Sequence, residues 1–152
     1  DSCSIIGHLP SGSLLDIGTG GGFPGLPIAI AQPEREVFLL DRSAKKTTFL
    51  KQVTIELELK NVKVETSRIE SYEVAKRFNV IVSRAFSELK IFLRIASKFC
   101  NSDGVLIAMK GKYPAAELAE IPEGRVRQVK QIRVPQLDAE RHIVELAPDL
   151  LM

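Results

Sequence analysis

This 152-residue sequence has no tryptophan, only 6% aromatic residues, two cysteines and two histidines. Each shortage excludes something. Cys3 and Cys100 form no C-x-x-C motif, and with His8 and His142 as the only imidazoles no zinc-ligand spacing can be assembled. The two cysteines read as reduced thiols of a cytosolic protein, not as a disulfide framework. No apolar run approaches the roughly 18–20 residues that a membrane span needs, and no signal-peptide pattern is visible. Repeats and low-complexity tracts are absent, and no Pro/Gly/Ser-rich linker divides the chain. One domain is therefore expected over residues 1–152, without metal or membrane and as a monomer. Lys plus Arg number 21 against 19 Asp plus Glu, a net charge of +2, which is too mild to diagnose a nucleic-acid partner by itself.

Apolar content is 45%, enough for a sizeable core, and it comes in alternating short runs and helical patterns. "SLLDIG" (13–18) predicts a buried first strand. "LPIAIA" (26–31) predicts a helix, with Pro24 and Pro27 near its start, where a missing N–H costs little. "REVFLLD" (35–41) is a second strand ending on an acid. In "SAKKTTFLKQVTIELEL" (43–59), Phe49, Leu50, Val53 and Leu57 fall on one helical face, and Ser43 is a plausible N-cap. "NVKVETS" (61–67) and "FNVIVSRA" (78–85) are the third and fourth strands, and "LKIFLRIASKF" (89–99) the next helix. "GVLIAMKG" (104–111) is a fifth strand entered through the turn "NSDG". "AAELAEIP" (115–122) is a short helix. "RVRQVKQIRV" (125–134) and "RHIVELA" (141–147) are expected to close the chain as an antiparallel hairpin. Together these predict an α/β domain with a seven-stranded, mostly parallel sheet.

The densest chemical signal is "LLDIGTGGGFPGLP" (14–27), where five glycines follow Asp16. A glycine-rich turn between a buried strand and a helix aims backbone N–H groups at a ligand. Gly20, Gly22 and Gly25 satisfy the dinucleotide pattern G-x-G-x-x-G. Asp16, Gly18, Gly20 and Gly22 equally satisfy D-x-G-x-G-x-G. Asp16 favours the second reading, because a carboxylate just before the glycines would repel a pyrophosphate. S-adenosylmethionine carries a positive centre and no phosphate. Asp41, ending the second strand, suits the ribose hydroxyls of either cofactor. The terminal hairpin also favours a methyltransferase over a dehydrogenase.

Six stretches, "LLDIGTGGGFPGLPIAI", "FLLDRSAKKTTFLKQV", "SRIES", "VIVSRAF", "IAMKG" and "ERHIVEL", occur in this order over nearly the whole chain. Together they resemble the glucose-inhibited division protein B family, bacterial guanine-N7 methyltransferases of small-subunit (16S) ribosomal RNA. The resemblance implies a Rossmann-like class I S-adenosylmethionine-dependent methyltransferase fold. It implies 16S ribosomal RNA or a small-subunit assembly particle as partner, and a bacterial cytoplasmic location. It also implies a helical segment before the stretch matched by "DSCSII", which this sequence does not show. By the same resemblance, Gly18 and Phe23 touch the cofactor, and Ile69 and Glu70 bracket its adenine. Arg84 stands between cofactor and target, and Arg68, Lys110 and Arg141 are further basic candidates for catalysis, with Lys45 another basic position.

Guanine N7 has a free lone pair and no proton to lose. Methylating it needs alignment, which can lower the barrier substantially, but no general base. The sequence agrees: "SRAF" stands after the fourth strand, with neither an Asn/Asp-Pro-Pro-aromatic motif nor a Pro-Cys pair. Arg84 and Lys110 end adjacent strands and could donate to guanine O6 or hold phosphates. A cation beside N7 itself would oppose the reaction.

Ordinary structural roles compete at each site. Arg84 could be a surface ion pair, Arg141 could pair with Glu140 or Asp138, and Arg68 could tie Glu70. Lys45 and Lys46 open a helix where the dipole disfavours cations, which points to a partner or a solvated face. His142 reads as a satisfied strand residue. The rival functions are a methyltransferase of the same fold with another substrate, and a non-catalytic module binding an adenosine nucleotide.

Overall fold

In the computed structural model, which describes residues 6, 7, 9–84, 86, 88–133 and 140–150, the run "LLDI" forms β1 (Leu14–Ile17), buried throughout. Helix α1 (Gly25–Ala31) follows the glycine loop, and β2 (Val37–Asp41) is again wholly buried. Next come α2 (Ala44–Glu56), β3 (Val62–Thr66), a 3-10 turn at Ile69–Ser71 and β4 (Phe78–Ser83). Helix α3 (Leu89–Ser97), β5 (Cys100–Lys110), α4 (Ala115–Ala119), β6 (Val126–Arg133) and β7 (Glu140–Leu146) complete the order. Residues 134–139, between the two strands of the expected hairpin, lie outside the described residues.

The described strands form one seven-stranded sheet in the order β3-β2-β1-β4-β5-β7-β6. The first five are parallel and β7 is antiparallel to both its neighbours. The two faces of the sheet carry separate cores. One gathers Leu15, Phe38, Ile81 and Leu106 with Phe92 and Leu93 of α3. The other gathers Leu14, Leu39, Val80 and Ile107 with Ile28 of α1 and Leu50 of α2. Successive strand residues alternate between these cores, as the two-residue strand period requires, so the central strands read as unbroken apolar runs. Strand order reverses at β1, flanked by β2 on one side and β4 on the other. In open α/β sheets the crevice beyond the carboxyl ends at such a point is where ligands bind.

Two local expectations are corrected. "NSDG" does not turn the chain into β5. The strand begins at Cys100, ahead of it, and the register with β4 shifts between Phe78 and Val80 to absorb the extra residues. Gly104 is buried there with no room for a side chain, since a Cβ would lie 2.7 Å from the Asn79 carbonyl oxygen. On α2, the expected apolar face is only partly used. Leu50 is buried and Val53 half-buried, but Phe49 is 61% and Leu57 52% exposed. The helix instead turns Thr47 inward, where its Oγ1 meets Thr66 Oγ1 of β3 at 2.6 Å. A polar pair thus sets the rotation of α2. Ser43 caps that helix as expected, accepting from the Lys46 N–H at 3.3 Å.

Candidate functional site

The glycine loop leaves β1 under tight backbone control. The N–H groups of Gly18 and Thr19 both donate to Leu40 O at 2.9 Å. Gly20 takes a left-handed φ of +57° and its N–H donates to Asp41 Oδ2 at 2.8 Å. No atom lies within 4 Å of where its Cβ would stand, so the loop is open on the ligand side. Gly25 is required for the opposite reason. A Cβ there would meet the Leu39 side chain and come 2.8 Å from Asp16 Oδ2, so α1 can start against β1 only without one.

Asp16, whose position in the sequence suggests a cationic cofactor as its partner, is 0% exposed and lies beneath the loop. Its Oδ2 accepts from Thr19 Oγ1 and from the Gly25 N–H, each at 2.8 Å, so it caps α1 from the strand before it. Its Oδ1 is buried and has no hydrogen-bond partner among the described residues. Burial pushes this carboxyl up to about 7, against the pull of the Thr19 and Gly25 bonds and the Arg84 charge. Near neutrality the group is therefore only partly ionised, which weakens the argument that its charge selects against phosphate. Its contribution is to tie the two ends of the loop together.

Asp41 is 8% exposed, and both oxygens are engaged: Oδ2 by Gly20 and Oδ1 by the Ser43 N–H at 2.9 Å. A carboxylate offers about four acceptor positions, so capacity for a ligand hydroxyl remains.

A cavity of about 360 Å³ opens beyond the carboxyl ends of β1 and β2. Gly18, Gly20, Asp41, Ile69 and Glu70 line it together, as the sequence reading groups them. Arg68 lines it too, apart from the other basic candidates, as do Lys46 and Phe86. Gly22 and Phe23 do not line it. Gly22 packs on the core, where a Cβ would lie 2.9 Å from Leu50 Cδ2. Phe23 is 45% exposed, with its ring centroid 5.9 Å from Arg84 Cζ, a cation–π contact.

A second cavity of about 160 Å³ lies at the ends of β4, β5 and β7. Arg84, Lys110 and Arg141 meet there with His142. Lys110 Nζ pairs with Glu117 Oε1 at 2.9 Å and donates to Phe86 O at 3.1 Å. Arg141 Nη1 donates to the Glu140 carbonyl at 2.9 Å; Asp138, one of the two partners expected for it, lies outside the described residues. His142 is buried and hydrogen-bonds Gly111 O through Nδ1 at 2.8 Å. Just beyond β4, Arg84 lines the second cavity and Phe86 the first. Basic side chains elsewhere lie apart from this cavity. Lys45 is exposed at the start of α2, and Arg125 donates to Pro148 O at the far end of the hairpin.

Sequence reasoning misses Thr19 and Glu117. Thr19 carries a usable signal, three residues after a strand-end acid. Glu117 carries none, since its partners Lys110 and Leu89 come from other elements. Among the described residues no group of His, Cys, Asp and Glu could hold a metal, and no helix is long and apolar enough to cross a membrane.

Comparison with known proteins adds to this geometry. The family described as "rRNA small subunit methyltransferase G" matches residues 1–144. The "Ribosomal RNA small subunit methyltransferase G" of Chromobacterium violaceum is 50% identical over 148 residues, 96% of this chain and 71% of its own. Two solved structures share the fold at low identity. TrmN from Thermus thermophilus has a TM-score of 0.74 at 17% identity, covering 97% of this chain and 47% of its own. PKMT2 from Rickettsia typhi, in complex with AdoHcy, has a TM-score of 0.59 at 21% identity, covering 70% of this chain and 22% of its own.

Proposed function

The chain belongs to the GidB family of rRNA small subunit methyltransferases, and from that premise we propose how its two cavities divide the work. It is an S-adenosylmethionine-dependent methyltransferase whose substrate is small-subunit (16S) ribosomal RNA, methylated at N7 of a guanine. The first cavity holds the cofactor and the second receives the guanine. The observation that carries this reading is the placement of Arg84 and Phe86. Two residues apart in sequence, they line different cavities beyond β4, which neighbours the strand where the order reverses.

The first cavity fits the cofactor by its chemistry. The open face of Gly20 lets a ligand approach the backbone, Asp41 offers acceptor capacity for ribose hydroxyls, and Ile69 and Glu70 flank a place for the adenine. When bound, S-adenosylmethionine supplies an electrophilic methyl on a sulfonium. The chain's own residues then bind and orient. Guanine N7 needs no base, and none of the residues around the second cavity is asked to take a proton. Arg84 donates to guanine O6 or a neighbouring phosphate, away from N7, where a cation would oppose charge arriving on the base. Lys46 and Arg68, at the mouth of the first cavity, meet the RNA backbone as point charges. The target base must leave its stack, or already be exposed, to enter so small a space. A monomer acting in the bacterial cytoplasm, on free RNA or an assembling subunit, completes the reading.

The test is to map N7-methylguanosine in 16S ribosomal RNA from cells with and without the protein. One such mark is expected to vanish and to return on complementation. Persistence of every mark would overturn the substrate assignment.

A further inference from the structure

We propose that Glu117 is a positioning residue for methyl transfer, anchoring Lys110 and the start of α3 so that Arg84 faces one cavity and Phe86 the other. The inference rests on the reading of the second cavity as the guanine site.

Among the described residues, three contacts hold Ser83, Phe86 and Leu89 in place after β4. Where the chain leaves the strand, Ser83 Oγ donates to Ile17 O of β1 at 2.8 Å. Further along, the Phe86 carbonyl accepts from Lys110 Nζ at 3.1 Å. Where the chain enters α3, the Leu89 N–H donates to Glu117 Oε1 at 2.9 Å. The same oxygen lies 2.9 Å from Lys110 Nζ. One carboxylate on α4 therefore touches two of these three contacts, Leu89 directly and Phe86 through Lys110. The α3 N-cap residue, Glu88, makes no side-chain cap of its own, so Glu117 supplies the acceptor from a distant element. The Lys110–Glu117 pair is partly buried, with side-chain exposures of 13% and 28%, so screening leaves much of its attraction intact.

The placement also has an electrostatic consequence. Lys110 lines the cavity into which the base is to come. Methylation makes that base positive, and an unpaired ammonium beside it would oppose the change. Glu117 supplies the counter-charge and holds the ammonium toward the Phe86 carbonyl. Losing it would remove the acceptor of the Leu89 N–H and take a carboxylate away from Lys110.

The experiment uses the full chain, with radiolabelled methyl transfer to unmethylated 16S ribosomal RNA and calorimetry with S-adenosylhomocysteine. Glu117→Gln keeps an acceptor for Leu89 and removes the charge partner of Lys110. We expect kcat to fall by about tenfold or more while the cofactor-product Kd changes by less than about threefold. Combined with Lys110→Met, the losses should be non-additive, the double variant being no slower than the slower single one. Glu117→Ala should in addition speed hydrogen exchange at the Leu89 amide, a readout independent of turnover. Unchanged kcat in Glu117→Gln, additive losses in the cycle, or unaltered Leu89 exchange would each overturn the proposal. Absence of transfer by the unsubstituted protein would instead refute the function on which it rests.

Discussion

Replacing Asp41 by Asn removes one negative charge and one of two acceptor oxygens, and both oxygens are in use. Asp41 serves two backbone donors at once, Gly20 N–H through Oδ2 and Ser43 N–H through Oδ1. Asparagine has one carbonyl oxygen, so one of those N–H groups must face an NH₂ donor. With the site 8% exposed, water is poorly placed to compensate. Loss of a hydrogen bond to a charged acceptor costs about 1.5–3 kcal/mol. At about 2–4 °C per kcal/mol for a chain of this size, Tm should fall by about 3–12 °C. The loop should not collapse, because Gly18 and Thr19 keep their bonds to Leu40 O. If the same carboxylate also takes a ribose hydroxyl, a second charged bond weakens and Kd for S-adenosylmethionine rises roughly 10- to 100-fold. Differential scanning calorimetry and titration calorimetry on the same preparations separate the two effects. A lowered Tm with an unaltered Kd would refute the ribose contact. A Tm within about 1 °C of the unsubstituted protein would refute the loop-anchoring argument itself.

Two further substitutions probe the neighbouring residues. Arg84→Ala should reduce methyl transfer to 16S ribosomal RNA by more than it weakens cofactor binding, because the side chain lines the second cavity and not the first; equal effects on both would place it on the cofactor. Asp16→Asn tests the buried carboxyl. Its folded pKa is raised from 3.8 to about 7, so between those values the folded chain holds a proton that the unfolded chain has released. Stability contributed by this group therefore falls as pH rises from about 4 to about 7 and is level above that. Asparagine keeps the single oxygen that serves both Thr19 and Gly25 and does not titrate. The stability difference should consequently move in the variant's favour across that window in urea titrations, and a pH-independent difference would contradict the assignment.

Much of the fold is legible in the sequence because its determinants are local. The central strands are buried on both faces, so they appear as continuous apolar runs. Ser43 stands immediately before its helix, so its cap is visible as a residue type in a position. The grouping of Gly18, Gly20 and Asp41 reflects strand ends that a parallel sheet must bring to one edge, while Ile69 and Glu70 enter only through the family resemblance. Features that escape depend on partners remote in sequence. The face of α2 is misjudged because hydrophobicity alone favours Phe49 and Leu57, whereas the Thr47–Thr66 pair turns the helix. Asp16 suggests a direct role because its charge is visible and its burial is not.

By itself, then, the sequence determined the element order, the hairpin at the end, the glycine loop and the acid-tipped strands that make a cofactor site, since these rest on residue type and short-range spacing. Tertiary structure alone decided which polar groups are spent inside the protein and which remain for a ligand. The starts of both α1 and α3 borrow acceptors from elsewhere, Asp16 of β1 for one and Glu117 of α4 for the other. The N–H groups at a helix start have no partner within the helix, and whichever acceptor folding brings near will satisfy them. That is a matter of three-dimensional proximity, and no local pattern in the chain records it.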